Sequence, residues 1–169
     1  MLAELAHKQP RSVSELAGAL ALSQPLSSLS LRALESRGLL KVKRIRRRAE
    51  YRFATTAAAG ELAGLIAALQ AGLSGETEFQ ALVFKLATAF THPSRIQIYH
   101  SLKVSEKSQT QLQAEIRISR PALCRHLQKL LNRGFVTCDD AGIYSTLKHQ
   151  HALGRVLGAL AAGQLPRSR

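Results

Sequence analysis

The sequence predicts a mostly α-helical fold with small β-hairpins, an α+β class in which one unit is used twice in tandem. Three observations carry this. Ser12, Leu16, Ser23, Pro25, Leu31, Leu34, Arg37 and Gly38 recur, in the same order and spacing, as Ser108, Leu112, Ser119, Pro121, Leu127, Leu130, Arg133 and Gly134. Apolar character is also kept at Leu20/Ile116, Leu22/Ile118, Leu39/Phe135 and Leu40/Val136. Each copy carries the punctuation of two short helices: a Ser N-cap, a Ser-x-Pro opening and a terminating Gly. Each Gly is then followed by strand-forming residues and a turn. Helix, tight turn, helix and hairpin, in that order, make a helix-turn-helix with a wing. The chain therefore reads as two winged helix-turn-helix modules packed through long helices.

In the first module, residues 2–7 suit a short helix that ends near Gln9-Pro10. Ser12 caps a helix over 13–20, and Glu15 three residues on completes a capping box. Ser23 caps the next helix, with Pro25 in the first turn, where its missing N–H costs nothing. That helix runs to Arg37, and Gly38 stops it. Residues 39–45 and 49–53 form a hairpin with Arg46, Arg47 and Arg48 at its tip. From Ala54 the period turns helical, with Leu62, Leu65, Ile66, Leu69 and Leu73 on one face. Gly72–Gly75 marks the boundary between modules.

The second module opens on a helix over 76–90, with Phe79, Leu82, Val83, Leu86 and Phe90 along one side. Pro93 breaks it and starts a helix through Leu102. Helices near 109–117 and over 120–133 follow, then strands over 134–138 and 143–147 around the turn Asp139–Gly142. A last helix over 149–162 aligns Leu153, Val156, Leu157 and Leu160. The expected domains are thus 1–73, a shortened copy, and 76–163, with 164–169 as a tail.

Composition narrows the function. The net charge of +13 and pI near 10.7 point to a polyanionic partner, here double-stranded DNA. Both halves are basic, with 11 Lys/Arg against 5 acids in 1–75 and 13 against 6 in 76–169. Two cysteines, Cys124 and Cys138, fit a reducing compartment rather than a disulfide scaffold. No apolar run is long enough for a membrane span, and the N-terminus is too short for a secretory signal, so a cytoplasmic, nucleoid-associated protein is expected. The acids are scattered, with no nucleotide-binding loop or triad spacing, and no enzyme is expected.

The stretch Ala89-Phe90-Thr91-His92-Pro93-Ser94-Arg95-Ile96 resembles the A-L-x-D-P-T-R-L opening helix of the ArsR-type (arsenic-repressor) regulators of bacteria and archaea. Leu22-Ser23-Gln24-Pro25 and Ile118-Ser119-Arg120-Pro121 resemble that family's L-S-Q-P turn. Leu31–Leu34 and Leu127–Leu130, each followed by Arg-Gly, resemble its H-L-x-x-L…G-L-V stretch. The resemblance covers 84–162 and about 12–70, and it implies a sequence-specific transcription regulator, a repressor, that binds DNA through both modules. The family's metal sensors carry Cys-x-Cys in the helix before the turn, but here Glu15–Gly18 and Gln111–Ala114 contain no Cys. Nor do His149 and His151 have a ligand about ten residues on, as the zinc-binding members would require. No metal or cofactor is expected. The alternative is a winged-helix module for protein interaction or chromosome organisation.

For base reading, the second module offers Arg125 and Lys129, opposite a stripe of Leu123, Leu127, Leu130 and Leu131, with Arg120 and His126 near the start and flank of that face. An Arg paired with guanine O6/N7 discriminates by about 1–3 kcal/mol, so Arg120 and Arg125 lead; a merely solvated basic face is the plain alternative. Helix 24–37 offers only Gln24, Ser28, Ser30 and Arg32, with Leu26, Leu29 and Ala33 on the side that should meet DNA. The wings reverse this balance. Lys41, Lys43, Arg44, Arg46, Arg47, Arg48 and Arg52 put seven cations in twelve residues against Glu50, which suits a phosphate clamp. Lys43, Arg44, Arg46, Arg47 and Arg48 are its leading contacts, and Val42, Ile45, Tyr51 and Phe53 read as strand residues. Asp139 and Asp140 would keep the second wing off phosphate. Cys124 is expected to be small and partly buried. His149, His151, Cys138 and Asp139 match no metal-site spacing and read as exposed polar residues. Helices 55–73, 76–90 and 149–162 should pack together, making either a monomer that imitates a dimer or a homodimer.

Overall fold

The computed structural model describes residues 1–6, 9–46, 48–55, 62–73 and 77–163. Arg47, residues 56–61 of the helix expected from Ala54, Ser74 and Gly75 of the expected boundary, and the 164–169 tail lie outside them. Two compact units divide the chain, Met1–Gln80 and Ala81–Pro166.

The first unit runs α1 (Leu2–Ala6), β1 (Arg11–Ser12), α2 (Val13–Ala19), α3 (Gln24–Ser36), β2 (Leu40–Ile45), β3 (Arg48–Phe53) and α4 (Ala63–Leu73). Helix α5 (Thr77–Ala87) begins in this unit and ends in the next. In the second unit a 3-10 turn (Thr88–Phe90) leads to α6 (Pro93–Val104), β4 (Lys107–Ser108), α7 (Gln109–Ile116), α8 (Arg120–Asn132), β5 (Val136–Cys138), β6 (Ile143–Thr146) and α9 (Ala152–Ala161). The class is as expected: mostly helical, with two small antiparallel sheets.

The repeat extends to topology. The sheets have the orders β1-β3-β2 and β4-β6-β5, so in each the last hairpin strand is central. The two-residue strands β1 and β4 were not foreseen, because two residues carry no readable period. Ser12 and Ser108 serve twice, pairing with Glu50 and Ile143 and also capping the next helix. Both capping boxes form. Ser12 Oγ accepts the Glu15 N–H (3.3 Å) while Glu15 accepts the Ser12 N–H (2.7 Å), and Ser108 and Gln111 do the same at 3.3 and 2.8 Å. Gly38 and Gly134 stop α3 and α8 at φ values of +75° and +72°, a conformation costly for residues with a Cβ.

The cores follow the repeat. Leu16, Leu31 and Leu40 are buried in one unit, as are their equivalents Leu112, Leu127 and Val136 in the other. Tyr51, Phe53 and Ile66 complete the first core. In the second, Phe90, Tyr99 and Phe135 meet edge-to-face, with centroids 4.7–6.1 Å apart, beneath the end of α8.

Several boundaries moved. Arg48 is not at the hairpin tip but in β3 opposite Ile45, because Arg46 turns the chain at φ 53°. The helix expected over 76–90 ends at Ala87 and tightens into the 3-10 turn. The last helix starts at Ala152 rather than 149, because His151 is its extended N-cap and hydrogen-bonds back to His149. Residues 134 and 135 precede β5, since Gly134 is left-handed. Ala54 and Thr55 are not helical.

Candidate nucleic-acid interface

Helix α8 is presented by a turn that no residue identity advertises. Arg117 ends α7 in the left-handed conformation (φ 58°), and Ala21 takes the same conformation (φ 50°) at the equivalent place in the first unit. For a residue with a Cβ this costs about 1 kcal/mol or more. Both copies carry that cost, and it sets the angle at which the second helix leaves the first. Pro121 then sits in the first turn of α8.

The sides of α8 separate cleanly. Leu123, Leu127 and Leu130 are buried, while Arg120, Pro121, Cys124, Arg125, Gln128, Lys129 and Asn132 are exposed. Arg125 and Lys129, one turn apart, share an outer face, and Arg120 is exposed at the N-terminal end of the helix. Gln128, which donates to Asn132 Oδ1 at 2.7 Å, belongs there too and was missed, although its i+3 spacing from Arg125 could have shown it. Cys124 is exposed rather than partly buried, and Gln109 Nε2 donates to its sulfur at 2.7 Å.

His126 does not join that face. It lies half-buried beside the leucine stripe, its ring 4.4 Å from that of His92, and its Nδ1 faces Arg95 Nη1 at 3.5 Å. Burial, and then the charges of His92, Arg95, Arg125 and Lys129, hold its pKa below the ordinary imidazole value. Arg95 is only 5% exposed and has no carboxylate partner among the described residues. It donates instead to the Ala89 carbonyl, the Thr88 carbonyl (3.2 Å) and Thr91 Oγ1 (2.7 Å). Sequence reasoning placed Arg95 only within a motif. In the structure it ties the 3-10 turn to α6 and sits against His126 of α8. Burial, and then the charge of Arg133, lower its pKa.

Helix α3 of the first unit differs in kind. Gln24 and Arg32 are exposed and Ser28 is half-buried, but Leu26 and Leu29 stand 48% and 68% exposed on the same helix. Leu34, the counterpart of buried Leu130, is half-buried. Ser27, the counterpart of Leu123, is buried, and its hydroxyl has no hydrogen-bond partner among the described residues.

The first hairpin is a ladder of cations. Lys41 lies opposite Arg52, Lys43 opposite Glu50 and Ile45 opposite Arg48. By strand alternation these six share the outer side, while Leu40, Val42, Tyr51 and Phe53 turn inward. Ile45 thus faces away from the core side where Val42 lies. Like charges directly opposite cost a few tenths of a kcal/mol. None of the described wing cations has a carboxylate within 4.0 Å. Lys43, Arg44, Arg46 and Arg48 are all exposed. The tip of the second hairpin is acidic, and Asp139 is spent on its own turn, accepting the Ile143 N–H at 2.8 Å.

Residues 92–137 match the family described as bacterial regulatory protein, arsR family, from the N-cap of α6 into β5. This segment is an arsR-family helix-turn-helix domain. The family is one of DNA-binding transcription regulators, so the arsR-family domain gives the chain a DNA-binding element. The match does not extend to the first unit, which repeats the element order and sheet topology of the arsR-family domain without it. Among curated proteins none matches the chain. Of the metal-site candidates, His149 is half-buried against Phe135 rather than exposed, and among the described residues no group of three His, Cys, Asp or Glu comes together. No helix among the described residues is long and apolar enough to cross a membrane.

Proposed function

We propose that the chain is a sequence-specific DNA-binding regulator, a repressor, whose two winged modules divide the work. Arg120, Arg125 and Lys129 on α8 read base edges, and Lys43, Arg44, Arg46 and Arg48 on the first wing hold the phosphate backbone. Arg47 belongs with them by sequence. His126 serves by positioning α8 rather than by touching bases. One observation carries this reading: α8 is cationic and the hairpin beyond it acidic, whereas the first hairpin is cationic and α3 largely apolar. Base contacts specify and phosphate contacts position, so the two copies supply complementary kinds of contact to DNA. The pairing helices, within one chain or between two copies, remain as proposed from sequence.

Selection of bound duplexes from random DNA tests the reading. It should return a motif with wild-type protein, and a blurred motif with Arg125→Ala. Failure to retain any duplex at low salt would end it. Leu26 and Leu29 favour a second reading for α3 alone, as a protein contact. In that case Leu29→Asp abolishes a co-purifying partner and leaves duplex affinity unchanged.

A further inference from the structure

We propose that the second unit holds a binding site for a small organic anion, a carboxylate on a short aliphatic body. The site is the cleft where the C-terminal end of α5, the end of α8 and residues 147–151 meet. Its volume is about 310 Å³, at the lower end of the range for small-molecule sites. Lys85, Arg133 and Lys148 line it together with two imidazoles, and among the described residues no carboxylate does. Leu82, Leu86 and Leu147 supply an apolar wall. Cations around an apolar wall with no counter-charge suit an amphipathic anion better than a neutral ligand or a metal.

Arg133 is the anchor. Its Nε donates to the Lys85 carbonyl (2.9 Å) and Thr88 Oγ1 (3.1 Å), Nη2 donates to Thr88 Oγ1 (2.9 Å), and Nη1 to the Lys129 carbonyl (3.4 Å). All these acceptors are neutral. A guanidinium has five N–H donors, so one on each terminal nitrogen is left for a two-oxygen acceptor. The plane is fixed before the ligand arrives, which lowers the ordering cost of binding. His149 closes the other side, with Nδ1 accepting the His151 N–H (3.1 Å) and Nε2 donating to the Arg133 carbonyl (3.2 Å). Arg133 is also the C-cap of α8. An occupant therefore touches the end of the helix proposed to read DNA, and its use as an effector site rests on that reading.

DNA phosphate is the other source of the same oxyanion chemistry, so the test uses DNA-free protein first. The full chain is titrated with octanoate, and with 1-octanol as the uncharged control, following amide and Arg Nε–H resonances by NMR. Saturable octanoate binding at millimolar concentration is expected, with shifts centred on Leu82, Leu86, Arg133 and His149. Octanol should bind about tenfold more weakly, because a charge-assisted bidentate pair is lost. Arg133→Gln should weaken octanoate by a similar factor without affecting octanol. Should that variant lose its fold, Lys148→Gln, at an exposed position, should still weaken octanoate two- to threefold by removing a charge at the rim. Equal binding of octanol and octanoate, or no saturable binding, overturns the site. If octanoate fails to bind but Arg133→Gln weakens a duplex, the cleft holds DNA phosphate and the proposal falls. If octanoate binds while no duplex does, the site stands and the DNA reading fails.

Discussion

Replacing Gly154 by Ala turns an ordinarily stabilising change into a destabilising one. Gly154 lies in α9, where Ala is favoured over Gly by about 1 kcal/mol. A Cβ built there, however, falls 2.2 Å from His149 Cγ, 2.3 Å from Nδ1 and 2.8 Å from Cδ2. Three ring atoms are struck, so the imidazole has to leave. It is held by the Arg133 carbonyl, the His151 N–H and the ring of Phe135, 5.1 Å away. Two hydrogen bonds at about 1 kcal/mol each, and a ring contact of similar size, make the loss about 3 kcal/mol. Subtracting the helix-propensity gain leaves a net destabilisation of about 2 kcal/mol. For a unit this small that lowers the melting midpoint by roughly 10 °C. Urea titration and calorimetry of the single and double variants measure it. In the His149→Ala background the ring is gone, so Gly154→Ala should stabilise by about 1 kcal/mol, and the cycle should be strongly non-additive. If Gly154→Ala stabilises the wild-type background, His149 is not packed as described and the reasoning fails.

Ser27→Ala should raise stability by about 1 kcal/mol in urea titration, since it removes a buried hydroxyl that has no partner and favours the helix; a loss of stability would reveal a bond the structure lacks. Arg95→Met should cost about 2–4 kcal/mol, because the Thr88 and Ala89 carbonyls and Thr91 lose a shared donor; a neutral result would remove Arg95 from the support of α8. His126 and His149 both have pKa values held below normal, chiefly by burial. Their neutral forms therefore favour the fold, a contribution complete above the unfolded imidazole pKa of about 6.5 and lost as pH falls below it toward the folded values. NMR titration should place both midpoints below that of a free imidazole, and a midpoint above it would contradict the packing. Arg46→Gln and Arg48→Gln should each change stability by less than about 0.5 kcal/mol while weakening every duplex alike. A large stability loss would make these arginines structural.

How much of this was legible depended on whether a feature is local. Ser12, Glu15, Ser108, Gly38 and Gly134 act within one turn of chain, so the helix starts and stops were readable. Leu16/Leu112 and Leu31/Leu127 announced both cores through the repeat. The β1 and β4 strands were not readable, since they exist only because β3 and β6 offer an edge. His126 was read as a base contact on the flank of the helix, yet the arrival of Arg95 from α6 and of His92 from its N-cap turns it inward. Cys124 was misjudged in the opposite direction, for its side of α8 stays exposed, with Gln109 donating to its sulfur. The anion cleft needed three segments distant in sequence, and Arg133 read simply as a residue before a helix-ending glycine. Left-handed Ala21 and Arg117 share no identity at all, and only the backbone shows that the two turns are alike.

The central claim is that base reading belongs to α8 and phosphate holding to the first wing. Competition binding of the full chain to a selected duplex and to its scrambled counterpart, across a salt series, tests it most directly for wild type, Arg125→Ala and Arg46→Ala. Arg125→Ala should cost about 1–3 kcal/mol on the selected duplex only and collapse the preference. Arg46→Ala should weaken both duplexes equally and reduce the slope of log affinity against log salt by about 1. Salt-independent binding, or a preference that survives Arg125→Ala and is lost with Arg46→Ala, would contradict the division.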